Sequence, residues 1–117
     1  MNQKELLTFV KKHLDDNKAL KVTELDVTKL SNCMDMMIIA TGTSTRHVQS
    51  IAKKLITAVK EAGHRPLGVE GETLGDWVLV DLGDVIVHVM LQSQRDFYDL
   101  EKLWTATKTL KRATKAK

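Results

Sequence analysis

Gly75-Asp-Trp-Val-Leu-Val-Asp-Leu-Gly-Asp-Val-Ile-Val-His-Val-Met90 is the stretch whose reading decides the fold. Two runs rich in β-branched residues, Trp77 to Val80 and Val85 to Val89, flank Asp81-Leu82-Gly83-Asp84. A turn with glycine at a position that wants positive φ joins neighbouring antiparallel strands, so the stretch reads as a hairpin. Strand side chains alternate, which puts Trp77 and Leu79 on one face and Val78 and Val80 on the other, and sets Val85, Val87 and Val89 against Ile86, His88 and Met90. Both faces are apolar, and such a strand belongs inside a layered sheet with cover above and below.

Working outward, Phe97, Tyr98, Leu100, Leu103 and Trp104 recur at helical spacing from about Ser93, giving a helix that fades into a basic tail. Upstream, Leu67 to Val69 reads as a brief strand, with Arg65-Pro66 before it and a loop from Glu70 to Gly75 after it. Asp35 to Thr41 is a short apolar run, followed by Gly42-Thr43-Ser44-Thr45 and helical periodicity at Val48, Ile51, Ala52, Leu55, Ile56 and Val59. That is strand, tight turn, helix, with Thr43 or Ser44 as N-cap and Gly63 at a left-handed C-terminal position. Lys21 to Val27 alternates imperfectly, as a half-buried or edge strand does, and Thr28 to Cys33 is polar and turn-prone. Leu6, Leu7, Phe9, Val10 and Leu14 mark an amphipathic helix from Gln3 to about Asn17. The order α-β-β-α-β-β-β-α implies an α/β (α+β) single domain, with helices packed on a mixed sheet of about five strands. Three helices do not cover every strand, so some apolar surface is expected to stay exposed.

The chain has 117 residues, 43% of them hydrophobic, enough to bury a core without metals or disulfides. A single cysteine, Cys33, excludes an internal disulfide and fits a reducing compartment or simple neutrality. With neither an apolar signal core nor a long apolar span, the chain reads as cytoplasmic. Its formal charge of +3 resides in the tail: Lys108, Lys111, Arg112, Lys115 and Lys117 fall in the last thirteen residues, and the rest carries 13 basic against 15 acidic residues, or −2. The domain is thus residues 1–104, with 105–117 a basic extension read as a frayed helix end or disordered. RNA contact by that tail is the alternative to a solvated end, and the near-neutral body argues against a nucleic-acid surface on the fold.

The chemistry-bearing residues are few. Thr41-Gly-Thr-Ser-Thr-Arg-His47 offers a glycine turn at a helix start, where backbone amides can hold an anion, but it lacks the spacing of a phosphate-binding loop or a dinucleotide fingerprint, and helix capping accounts for Thr43 and Ser44. Asp81 and Asp84, with Asp35, invite comparison with the metal-binding carboxylates of a nucleotidyltransferase; turn chemistry explains the first two better. His13, His47, His64 and His88 show no metal-ligand spacing, and His88 in its strand reads as a packed ring with one nitrogen satisfied locally, or as a partner contact. No cofactor, metal or catalytic set is expected. What remains is surface: Trp77 opens its strand after Gly75-Asp76, and Asp76, Asp81 and Asp84 would rim it as an interface anchor for a basic partner, the alternative being a tryptophan packed in the core.

Taken together, Met36-Met-Ile-Ile-Ala-Thr-Gly-Thr-Ser-Thr-Arg-His-Val48, Gly68-Val-Glu-Gly71, Asp76-Trp-Val78, Asp81-Leu-Gly-Asp-Val-Ile-Val-His-Val89 and Arg95-x-x-Tyr98-x-Leu-Glu-x-Leu-Trp104 resemble the Iojap-related ribosomal silencing factor (RsfS) family, in order, from about residue 5 to 104. The resemblance implies a nucleotidyltransferase-like fold without transferase activity, often dimeric when free. It also implies binding to the large ribosomal subunit through ribosomal protein fourteen, so that the small subunit cannot join and translation falls under nutrient limitation. The longer basic tail departs from the family pattern. On this reading the partner-facing residues are Trp77, Asp76, Asp81, Leu82 and Asp84, helped by Glu70 and Tyr98. The competing reading from another class is a nucleotide-binding enzyme domain that uses the Gly42 turn.

Overall fold

The valine-rich hairpin lies inside the sheet, as its two apolar faces demand. A computed structural model of the chain describes residues 2–26 and 36–98, without the side chains of Phe97 and Tyr98. Along it run α1 (Gln3–Asp16), β1 (Leu20–Asp26), β2 (Met36–Gly42), α2 (Thr45–Glu61), β3 (Gly68–Glu70), β4 (Trp77–Asp81), β5 (Val85–Leu91) and α3 (Gln92–Tyr98). The five strands form one sheet in the order β1-β2-β5-β4-β3. Neighbours are antiparallel except β2 and β5, which run parallel with Ile39 opposite His88. The sheet is therefore mixed, and the element order is the one expected.

On one face Ile38, Ala40, Val78, Val80, Val85, Val87 and Val89 meet Leu6, Val10 and Leu14 of α1 and Val48, Ile51, Ala52, Leu55 and Val59 of α2 in a single buried cluster. The helix residues recur at three- and four-residue steps, so each helix turns one apolar stripe inward and leaves its charges outside. Asn2 and Glu5 cap α1 reciprocally, the Asn2 side chain accepting from the Glu5 amide at 2.8 Å and the Asn2 amide donating to Glu5 Oε1 at 3.1 Å. Ser44 caps α2, and Gly63, at φ 84°, ends it.

The expected uncovered surface is at the edge: in β1, an outer strand, Leu20 is 47% and Val22 37% exposed. The polar stretch from Thr28 to Cys33, the end of the expected third helix beyond Tyr98, and the basic tail lie outside the described residues.

Candidate functional site

The second face of the sheet is of different make. Met37, Ile39 and Met90 form a small buried cluster with Leu25 and Trp77 against it, and interleaved with them are buried polar groups: Thr41, His88 and Arg95. Each polar group must find partners or lose the full cost of leaving water. Arg95, 5% exposed, donates from Nη1 to the Lys21 carbonyl at 2.7 Å and to Thr41 Oγ1 at 2.8 Å, and from Nη2 to Thr23 Oγ1 at 2.8 Å. It thereby fastens α3 across β1 and β2, at the point where β1 bulges and Lys21 takes φ 48°.

His88 is the companion case. The Trp77 indole N–H donates to His88 Nδ1 at 2.8 Å, with ring centroids 5.7 Å apart and planes tilted by 48°. An indole nitrogen only donates, so Nδ1 holds a lone pair and the neutral ring carries its proton on Nε2. That Nε2 is buried and meets no hydrogen-bond partner among the described residues. Burial pushes the His88 pKa from 6.5 down to about 4. Protonating Nδ1 would also set two donors against each other.

Two glycines bring the chain to Trp77. Gly71 sits at φ 86°, and a Cβ there would lie 2.0 Å from the Trp77 carbonyl oxygen. Gly75, at φ 74°, packs so closely on Gln49 and the Thr45 carbonyl of α2 that a Cβ would meet them at 2.7 and 2.9 Å. The loop between them is tied to α2 by Gln49, whose amide donates to the Glu72 and Thr73 carbonyls at 3.0 and 3.1 Å. Its Leu74 is left 75% exposed. An aromatic edge, an exposed leucine and the acids Glu70, Glu72 and Asp76 thus share one end of the sheet.

The structure redistributes the residues expected to form the patch. Trp77, half-buried, and Asp76 stand together, and Glu70, opposite Leu79 in register, is a diagonal neighbour on the same face as Trp77. Asp81 and Asp84 do not rim Trp77. Asp81 is four residue steps along the strand from Trp77, about 13 Å, and the turn lies by the start of α1, where the Asp84 carbonyl accepts from Gln3 Nε2 at 3.4 Å. Asp81 Oδ1 accepts from the Gly83 amide at 2.9 Å, the turn role anticipated for it. Leu82 offers nothing to a partner: it is 2% exposed and belongs to the helix-side core, on the same face as Val78 and Val80, as the alternation along the strand directs. The Tyr98 side chain lies outside the described residues. Gln49 and Leu74 went unnoticed in the sequence; the one visible signal was an isolated leucine in a polar loop.

At the Gly42 turn the Thr43 and His47 amides are engaged locally. Thr43 N–H donates to His47 Nδ1 at 2.9 Å and His47 N–H to Ser44 Oγ at 3.1 Å, while His47 Nε2 reaches the Asn17 carbonyl at 3.0 Å and ties the ends of α1 and α2 together. The capping explanation accounts for this segment. Among the described residues no three His, Cys, Asp or Glu side chains converge as a metal site, and Asp35 lies outside them. No helix among the described residues is long and apolar enough to cross a membrane.

Fold and site together define a small single-domain α+β protein that presents an aromatic and acidic end. The chain belongs to the ribosomal silencing factor family, since the family model described as "Ribosomal silencing factor during starvation" matches residues 1–117. It is 46% identical over 99 residues to ribosomal silencing factor RsfS of Haemophilus influenzae, covering 85% of this chain and 97% of that one. The RsfS of Chromobacterium violaceum is 44% identical over 108 residues, covering 92% and 88% of the two chains. A crystal structure of a Chromobacterium violaceum protein superposes with a TM-score of 0.87 at 45% identity, covering 90% of this chain and 88% of that one.

Proposed function

We propose that this protein binds the large ribosomal subunit through ribosomal protein fourteen, sterically keeps the small subunit from joining, and so lowers translation in the cytoplasm when nutrients are short. The observation that carries the reading is membership of the ribosomal silencing factor family along the whole chain. The geometry supports a docking role: Trp77 is held by His88 at the sheet end, next in the chain to Asp76 and diagonal to Glu70, and the preceding loop leaves Leu74 and Glu72 exposed. An aromatic anchor with acids near it suits a basic protein surface, the anchor supplying affinity and the acids steering encounter. The action requires occupied space and no bond-making group, so the protein is read as a binding factor without enzymatic activity. A homodimer formed through the same end would compete with the ribosome, since one apolar surface serves one partner at a time.

Sucrose-gradient sedimentation with purified subunits tests this. The wild-type chain should travel with the large subunit and reduce whole-ribosome formation. Trp77→Ala should weaken binding by about 2 kcal/mol or more, roughly thirtyfold, and Glu70→Lys, at an exposed edge position, should mainly slow association and alter its salt dependence. Ribosomes that assemble freely with the protein bound would refute the steric mechanism. A cooperative melt lost in Trp77→Ala, with full binding kept in Glu70→Lys, would return Trp77 to a purely structural role.

A further inference from the structure

The helix layer and the strand-rich half carry opposite charge, which an average over the body conceals. Within α2, Arg46, Lys53, Lys54 and Lys60 stand against the single acid Glu61, a net +3. Residues 62–98 set Arg65 and Arg95 against Glu70, Glu72, Asp76, Asp81, Asp84 and Asp96, a net −4. Arg46, Lys53 and Lys60 are all exposed and recur every seven residues. That spacing puts them almost in line along the solvent side of the helix, over about 21 Å. Lys53 and Lys54 also line a groove of about 560 Å³ against the end of α1, with His13, Asn17 and Thr57 supplying polar atoms and Glu61 at its margin.

Among the described residues these cations have no ion-pair partner. Among the described residues Lys11 pairs with Glu24 at 2.9 Å and Lys12 with Asp16 at 3.1 Å, whereas Arg46, Lys53, Lys54 and Lys60 form no ion pair. We propose that the solvent side of α2, with its groove against α1, is a second docking surface, one that takes the phosphate backbone of RNA. A row of cations spread along a helix matches a polymer of regularly spaced charges better than a single compact anion. None of the large exposed apolar residues, Leu20, Val22, Leu67 and Leu74, lies on α2, so this face has nothing to insert into a lipid surface. No Phe, Tyr or Trp occurs in α2 to stack on a base, and its one imidazole, His47, is held by the Thr43 amide and the Asn17 carbonyl, so recognition is of backbone and without sequence preference. This surface lies on α2 and does not include Trp77, although its Arg46 end is close in sequence to Thr45 and Gln49, which meet the loop before Trp77, and the two readings fail independently.

Fluorescence anisotropy of the full chain with an RNA duplex of about 16 base pairs, over a salt series, tests the proposal. The parent should bind with a steep salt dependence. The triple variant Arg46→Gln/Lys53→Gln/Lys60→Gln should lose affinity at least tenfold at low salt and lower the log–log slope by about 2 to 3, at roughly 0.7 to 0.9 per phosphate contact. Its thermal melt should match the parent's, and Trp77→Ala should bind RNA as the parent does. A triple variant that keeps affinity and slope overturns the proposal. So does loss of all RNA binding only when Lys108, Lys111, Arg112, Lys115 and Lys117 are changed to Gln, which would move the contact to the tail. Equal binding to anionic vesicles would show a surface that answers to charge alone, and would overturn it too.

Discussion

The two faces of one sheet are built on different principles. Toward α1 and α2 the wall is apolar throughout, from Ile38 to Val89, and its side chains need only be hydrophobic and of fitting volume. On the other face Met37, Ile39 and Met90 share burial with Thr41, His88 and Arg95, and every polar atom there makes a directional demand. The first face supplies most of the stability, through area removed from water. The second adds constraints on geometry: Arg95 fixes where α3 lies, and His88 fixes how the Trp77 indole is turned.

The comparison is sharpened first by the largest change. Leu55→Ala, in the helix-side core at 1% exposure, should lower unfolding free energy by about 2 to 5 kcal/mol through lost transfer energy and the cavity left behind. Urea denaturation with an unchanged m-value would measure it. A loss under 1 kcal/mol would mean that this face repacks around the gap.

The second face should respond to pH as the first does not. The His88 pKa lies near 4 in the folded chain against 6.5 ordinarily, so between those values the unfolded chain binds one more proton than the folded one. Stability due to this group is therefore complete above pH 6.5 and is lost as pH falls toward 4, by about 3 kcal/mol in all. His88→Asn keeps an acceptor for the Trp77 N–H but does not titrate. The difference in unfolding free energy between wild type and His88→Asn should shift by that amount between pH 7 and 4, and a constant difference would show that His88 does not sense pH.

The same contrast explains what was legible beforehand. Helix-side burial follows periodicity, so α1, α2, the β4–β5 hairpin and the Gly63 terminus could be read directly from residue spacing. The sheet order could not, because the parallel pairing of β2 with β5 joins segments separated by a long stretch of chain, and spacing says nothing of pairing over that distance. Three of the seven residues expected to face a partner lie away from Trp77 for a related reason. Sequence proximity gathered Asp81, Leu82 and Asp84 around Trp77, while an extended strand carries them to the far end of the sheet and turns Leu82 inward. The body charge of −2 concealed the cationic α2 because a sum has no spatial order.

The smallest expected effect probes the join between the two faces. Gln49 stands on α2, yet its side chain serves the loop that leads to Trp77, through the Glu72 and Thr73 carbonyls. Those acceptors are exposed, so water replaces the lost bonds in Gln49→Ala and global stability should fall by only about 1 kcal/mol or less. Local opening is another matter. Besides this amide the loop is closed by the Gly75 N–H on the Gly71 carbonyl at 3.0 Å, which does not restrain residues 72–74 directly, and amide exchange at residues 72–75 should rise several-fold while exchange in β5 stays unchanged. If Trp77 must be presented in a fixed pose, the same variant should bind the large subunit more weakly than its melting temperature explains. Binding equal to wild type, with the loop demonstrably looser, would show that the pose is set by His88 alone.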